Sequence, residues 1–183
     1  MRGISTSGRV AAAWGLAGVA ALLGSAVFRL TPLAIAAFAQ ELGVVHYVGL
    51  VASLFFLGYT EGYKAFQKQF SPRVVARARY LANNPTPLRV LLAPMFCMGY
   101  FHATRKRLVI SWALSLGVVG LILIVSRVPQ PWRGIVDAGV VVALTWGLVA
   151  MVVYAARALS GHGLPVPPDV PETDIDEALP EAA

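Results

Sequence analysis

Four apolar runs limit what this chain can become: Val10–Phe28, Val44–Tyr63, Leu108–Ser126 and Gly134–Ala156. Each is close to the ~20 residues that a helix needs to cross a ~30 Å hydrocarbon core. In such a core every backbone N–H and C=O must be satisfied within the segment, so runs of this length have to be helices. The predicted fold is therefore an all-α polytopic membrane protein, a four-span helical bundle. Of the 183 residues 57% are hydrophobic and 13% charged, about half the charged share of a soluble domain. The single cysteine, Cys97, excludes an internal disulfide and cysteine-based metal motifs.

The charges are segregated. Arg2, Arg9, Lys64, Lys68, Arg73, Arg77, Arg79, Arg89, Arg105, Lys106, Arg107 and Arg157 fall on one side of a four-span chain, and only Arg29, Arg127 and Arg133 fall on the other. Cytoplasmic loops carry the excess of Lys and Arg, so this bias predicts both termini in the cytoplasm of a bacterial-type inner (plasma) membrane. The same placement argues against nucleic acid, whose binding surfaces are solvated basic patches rather than flanks of apolar spans. Met1–Arg9 followed by an apolar run and Gly24–Ala26 also resembles a secretory signal, but the run is longer than the usual 7–15-residue signal core, so it is expected to remain as a span.

Between the spans lie two ambiguous stretches. Residues 31–43 either extend the first helix past Pro32 or lie along the outer interface. Residues 86–104 are apolar but interrupted by Pro94 and closed by Arg105, Lys106 and Arg107; a half-inserted or surface-lying cytoplasmic helix is expected. Together, residues 61–107 read as a basic amphipathic collar at the headgroups. At 100° per residue Tyr59, Tyr63, Phe66 and Phe70 share one face, with Lys64 and Lys68 opposite. Ser71–Pro72 is a helix-start signal, followed by a second short helix to Leu81. The organisation expected is a short N-terminus (1–9), a membrane bundle (10–159) and an acidic, proline-rich, disordered tail (160–183). That tail carries Asp169, Glu172, Asp174, Asp176, Glu177 and Glu181, six of the nine acidic residues.

Candidate functional residues follow from this layout. Glu61, Lys64, Lys68, Arg73, Arg77, Arg105, Lys106 and Arg107 form the candidate interface, toward anionic lipid at about 1 kcal/mol per cation or toward a protein. Glu61, at a helix end whose dipole disfavours an anion, is expected to pair with Lys64 or with the Arg105–Arg107 cluster. Asp137 is expected to pair with Arg133. Gly139, Ala143 and Gly147 recur every four residues on the fourth span, and Ala17, Ala21 and Ser25 do so on the first, the spacing that lets helices approach closely in lipid. Ser111 and Ser115 lack a neighbouring His or acid. His46 and His102 fall at opposite membrane surfaces and are not expected to share a metal. No cofactor and no catalytic residue is predicted. The expectation is a non-enzymatic accessory, assembly or scaffold component with membrane lipid and a protein partner or second copy as its contacts. The alternative is a membrane enzyme or small-molecule or lipid carrier working at the cytoplasmic interface through Glu61 and Arg105–Arg107.

Overall fold

The computed structural model describes residues 5–171. The described residues are helical without strands, and four helices are long and apolar enough to cross a membrane: this is a multi-pass membrane protein. Helix α1 covers Thr6–Ala37, α2 Val44–Leu57, a π-helical segment Gly58–Phe70, α3 Ser71–Asn83, α4 Pro87–Leu91, α5 Ala93–Met98, α6 Arg105–Val125 and α7 Trp132–Leu159. Arg2 and the acids from Glu172 onward lie outside the described residues.

Helix α1 is capped by Ser5, whose Oγ accepts the Gly8 N–H at 3.1 Å. It continues through Pro32 to Ala37, so the first of the two readings of residues 31–43 holds as far as Ala37. The Thr31 hydroxyl donates to Val27 O at 2.7 Å one turn before the proline, which itself has no N–H to give. The second long helix is continuous from Val44 to Asn83, 40 residues. This corrects the expected break at Ser71–Pro72. Ser71 has helical φ and ψ of −58° and −46°, and its hydroxyl is not an N-cap but donates across to Gly147 O at 2.9 Å. Pro72 is tolerated because it opens the first α turn after the π segment, where the hydrogen-bond ladder changes its step.

Side-chain contacts fix the directions. Trp132, which opens α7, packs on His46 near the start of α2, with ring centroids 5.0 Å apart. Gln130 Nε2 donates to Leu33 O at 3.2 Å while its Oε1 accepts the Gly134 N–H at 3.1 Å, which ties the start of α7 to the end of α1. At the other end Gly8 of α1 lies against Ala82 of α3. The long helices thus alternate in direction, and the start of α1 and the end of α7 share one end.

Three of them pack: α1, the α2–π–α3 rod and α7. Gly139, Ala143 and Gly147 are buried on the seam between α7 and the rod. A Cβ on Gly147 would stand 2.5 Å from Phe66 Cδ1, and one on Gly139 3.0 Å from the Ser53 carbonyl. On α1 a different small face from the expected one packs in the bundle. Ala17, Ala21 and Ser25 do not face the core, whereas Gly8, Ala11, Gly15 and Val19 are buried. Three- and four-residue spacings of small residues run along several faces of an Ala/Gly-rich helix, and contact with α3 and α5 selects one. Helix α6 touches the other helices only marginally. Its first turns are held by the 98–101 loop, through Ser111 Oγ to Met98 O at 3.1 Å, a Tyr100–Ser115 hydrogen bond and the Tyr100–Trp112 rings.

The two classes of glycine make opposite predictions. Gly147→Ile overpacks the α7 seam against Phe66 and lowers stability in detergent by about 1–3 kcal/mol. Gly117→Ile on α6, where a Cβ meets nothing within 4 Å, leaves the thermal midpoint nearly unchanged.

Candidate functional site

The basic segment divides into buried and exposed cations, which corrects the reading of all of it as one amphipathic collar with its cations at the headgroups. Arg77 is 1% exposed. Its Nε donates to Phe96 O at 2.5 Å, Nη1 to Pro168 O at 2.8 Å and Asp169 O at 3.4 Å, and Nη2 to Phe101 O at 3.0 Å and His102 O at 2.9 Å. These five bonds use the five N–H donors of a guanidinium. The Phe96 ring lies 4.2 Å below it. Two of the accepting carbonyls belong to residues in the left-handed region, His102 at φ 47° and Asp169 at φ 51°, a conformation uncommon outside glycine. Arg77 therefore cannot reach lipid or a partner. It clamps Phe96 of α5 and two irregular segments, 101–102 and 168–169, onto α3.

Its neighbours extend the knot. Arg73 Nε pairs with Asp169 Oδ2 at 3.0 Å, the Asp169 carbonyl accepts the Thr104 N–H at 3.0 Å, and Val170 is buried in the core. The beginning of the stretch expected to be disordered is thus packed, because Arg73 and Arg77 supply the contacts that its composition lacks. Arg89 and Arg107 are also buried, and Gly99 packs directly on the Arg107 side chain. Arg105 and Lys106 are exposed. Within residues 86–104 the chain forms α4 and α5 and then a loop from Gly99 to Thr104; Ala93, Phe96 and Cys97 of α5 are buried beneath α1 and α3.

The π segment arranges Glu61, Lys64 and Lys68 differently from an α-helix. A π-helix bonds from i to i+5 and turns through a smaller angle per residue than an α-helix, so residues five apart come nearer to one face. Lys64 Nζ accordingly lies over the Tyr59 ring at 4.8 Å, and Lys68 Nζ over Tyr63 at 4.6 Å. The lysines thus share a face with Tyr59 and Tyr63 instead of opposing them, while Phe66 packs on α7. Glu61 is exposed and forms no ion pair among the described residues, so the expected pairing with Lys64 or Arg105–Arg107 is corrected. Arg107 of α6 belongs to the knot around Arg77, which is sixteen residues beyond Glu61 on the rod, roughly 20 Å away. The opposite side of the π segment faces α7, with Gly62 against Ala143 and Trp146, Phe66 against Gly147, and Trp146 Nε1 donating to Gln67 Oε1 at 2.6 Å. This polar stretch thus lies beside the middle of the α7 apolar run, not beyond it.

Asp137 is buried and paired with Arg133 at 3.7 Å. His46 and His102 lie at opposite ends of the molecule, and among the described residues no group of three His, Cys, Asp or Glu is placed to hold a metal ion. Burial pushes the Cys97 thiol up to about 12, against the opposing pull of the nearby Arg77 charge. It is an inert packing residue, since the thiolate is the reactive form.

Comparison with protein families, curated proteins and solved structures finds no match.

Arg77→Met, which orphans buried carbonyls at about 1–3 kcal/mol each, is expected to lower stability by more than ~3 kcal/mol. Arg77→Lys is not a rescue, because an ammonium has three donors and no planar fork. Arg105→Gln stays within about 0.5 kcal/mol of the unaltered chain. Chemical denaturation in detergent ranks the three. In the folded protein at pH 8 Cys97 resists alkylation by N-ethylmaleimide and becomes reactive only on unfolding, as mass spectrometry of the time course reads out.

Proposed function

We propose that this chain is a non-enzymatic accessory or assembly component of a membrane complex, docking a protein partner or a second copy through the outer face of the π segment. The observation that carries this reading is the exposure of Glu61, Lys64 and Lys68 on a segment whose inner face packs at Ala143–Gly147. The apolar run of α7 extends from Ala138 to Ala156, about 28 Å of helix, and Gly147 is its midpoint. Ionisable groups facing hydrocarbon at that depth are costly and are normally paired or directed into a protein interior. The Tyr59 and Tyr63 rings relieve the ammonium charges by about 0.5–1 kcal/mol each, which leaves Glu61 to be satisfied from outside. A partner helix with polar groups meets that need. Helix α6, apolar on nearly every side and scarcely packed, offers a second surface.

In this reading both termini are cytoplasmic and the membrane is of the bacterial inner (plasma) type, supported by the distribution of Lys and Arg. The exposed Arg105 and Lys106 then face the headgroups, where anionic lipid favours them. The alternative of an enzyme or carrier combining Glu61 with Arg105–Arg107 draws no support from a geometry that separates them.

The test is the triple variant Glu61→Gln, Lys64→Gln, Lys68→Gln. In mild detergent the unaltered chain is expected to migrate on a native gel as an assembly larger than one chain, and the variant as a single folded chain with unchanged circular dichroism. An unaltered chain that is already monomeric, or a variant that assembles normally, refutes the reading.

A further inference from the structure

We infer that the outer face of α7 binds one anionic membrane lipid, with its acyl chain along Val142–Val153 and its headgroup at Arg157 and His162. Two concavities meet there. One, about 530 Å³, runs along α7, with Val142, Val149 and Val153 as wall and Gln67 of the π segment as lip. The other, about 340 Å³, is formed by the turn after α7, around His162 and Leu164. They share Tyr154 and Arg157, so they form one groove, apolar over most of its length and cationic at one end.

The dimensions suit a single acyl chain. From Val153 to Val142 is about 16 Å of helix, close to one leaflet's half of a ~30 Å core. Arg157 ends the apolar run of α7, where a headgroup would lie. Its side chain is exposed and makes no ion pair among the described residues. The groove wall is largely open, with Val149 59% and Val153 49% exposed. An apolar trough closed at the interface by a cation that no described residue neutralises selects an amphiphile with a negative headgroup. The site borders the π segment at Gln67 but uses none of Glu61, Lys64 and Lys68, and does not depend on their having a protein partner.

The experiment incubates the full delipidated chain with equal amounts of dioleoylphosphatidylserine and dioleoylphosphatidylcholine and counts retained lipids by native mass spectrometry. The unaltered chain is expected to retain the serine lipid about fivefold over the choline lipid, the preference one interfacial cation supplies. Arg157→Gln should bring that ratio close to one. Val149→Trp, which fills the trough, should reduce retention of both lipids. Arg105→Gln with Lys106→Gln should leave the ratio unchanged. All three variants alter exposed positions, so folding is expected to survive, and circular dichroism verifies it. The inference is overturned by a ratio near one in the unaltered chain, by a preference that survives Arg157→Gln, by one that disappears with Arg105 and Lys106, or by undiminished retention in Val149→Trp. It is equally overturned if lipid is retained only after residues 172–183 are deleted, since the acidic tail would then be the occupant.

Discussion

The Arg77 guanidinium is the interaction on which the irregular part of this molecule depends. Long helices satisfy their own backbones, but the connection between α3 and α6 and the chain after α7 do not. Their carbonyls at Phe96, Phe101, His102, Pro168 and Asp169 converge on one cation. A buried charge without partners is prohibitive, whereas one whose every donor is matched is a strong and directional fastener. The stacking of Phe96 beneath it, with Tyr80 and Phe101 around that ring, makes the knot both polar and apolar in its hold. It explains how Val170, far along the chain, reaches the same core as Val19 and Val74.

Away from the knot, packing follows the logic of lipid rather than of water. There is no hydrophobic gain in bringing two apolar helices together inside a bilayer, so close approach and polar bridges decide which helices associate. The α7 seam has both, in Gly139, Ala143 and Gly147 and in the hydrogen bonds of Ser53 to Ile135 O and Ser71 to Gly147 O. Helix α6 has neither beyond its first turns, and stands apart. Of the expected four-span bundle, three long helices pack together and the fourth stands apart beyond its first turns.

How much of the candidate site could be read in the sequence depends on the residue. The fourth-span stripe was visible because a four-residue repeat of small side chains is itself the requirement for close approach. The Arg133–Asp137 pair was visible because partners four apart on a helix meet. Arg77 was not visible as a fastener. Its partners are backbone carbonyls 19 to 92 positions away, and a carbonyl has no residue-type signature. The only trace is its place beside Val74, Ala78 and Leu81, which equally describes an interfacial arginine. The lysine–tyrosine contacts were hidden by the assumption of α-helical spacing, which a π segment loosens so that residues five apart can meet.

By itself the sequence determined the number of membrane-crossing helices, because span length is imposed by bilayer thickness and apolar runs are countable. It also determined that most Lys and Arg flank the apolar runs on alternate turns of the chain, since that is a property of order along the chain. The tertiary structure alone decided which arginines are buried, which small face of α1 is used, and that a polar segment lies alongside the apolar centre of α7. Those outcomes depend on the relative height and rotation of helices. Height and rotation are set by contacts between residues far apart in the chain, and no local pattern encodes them.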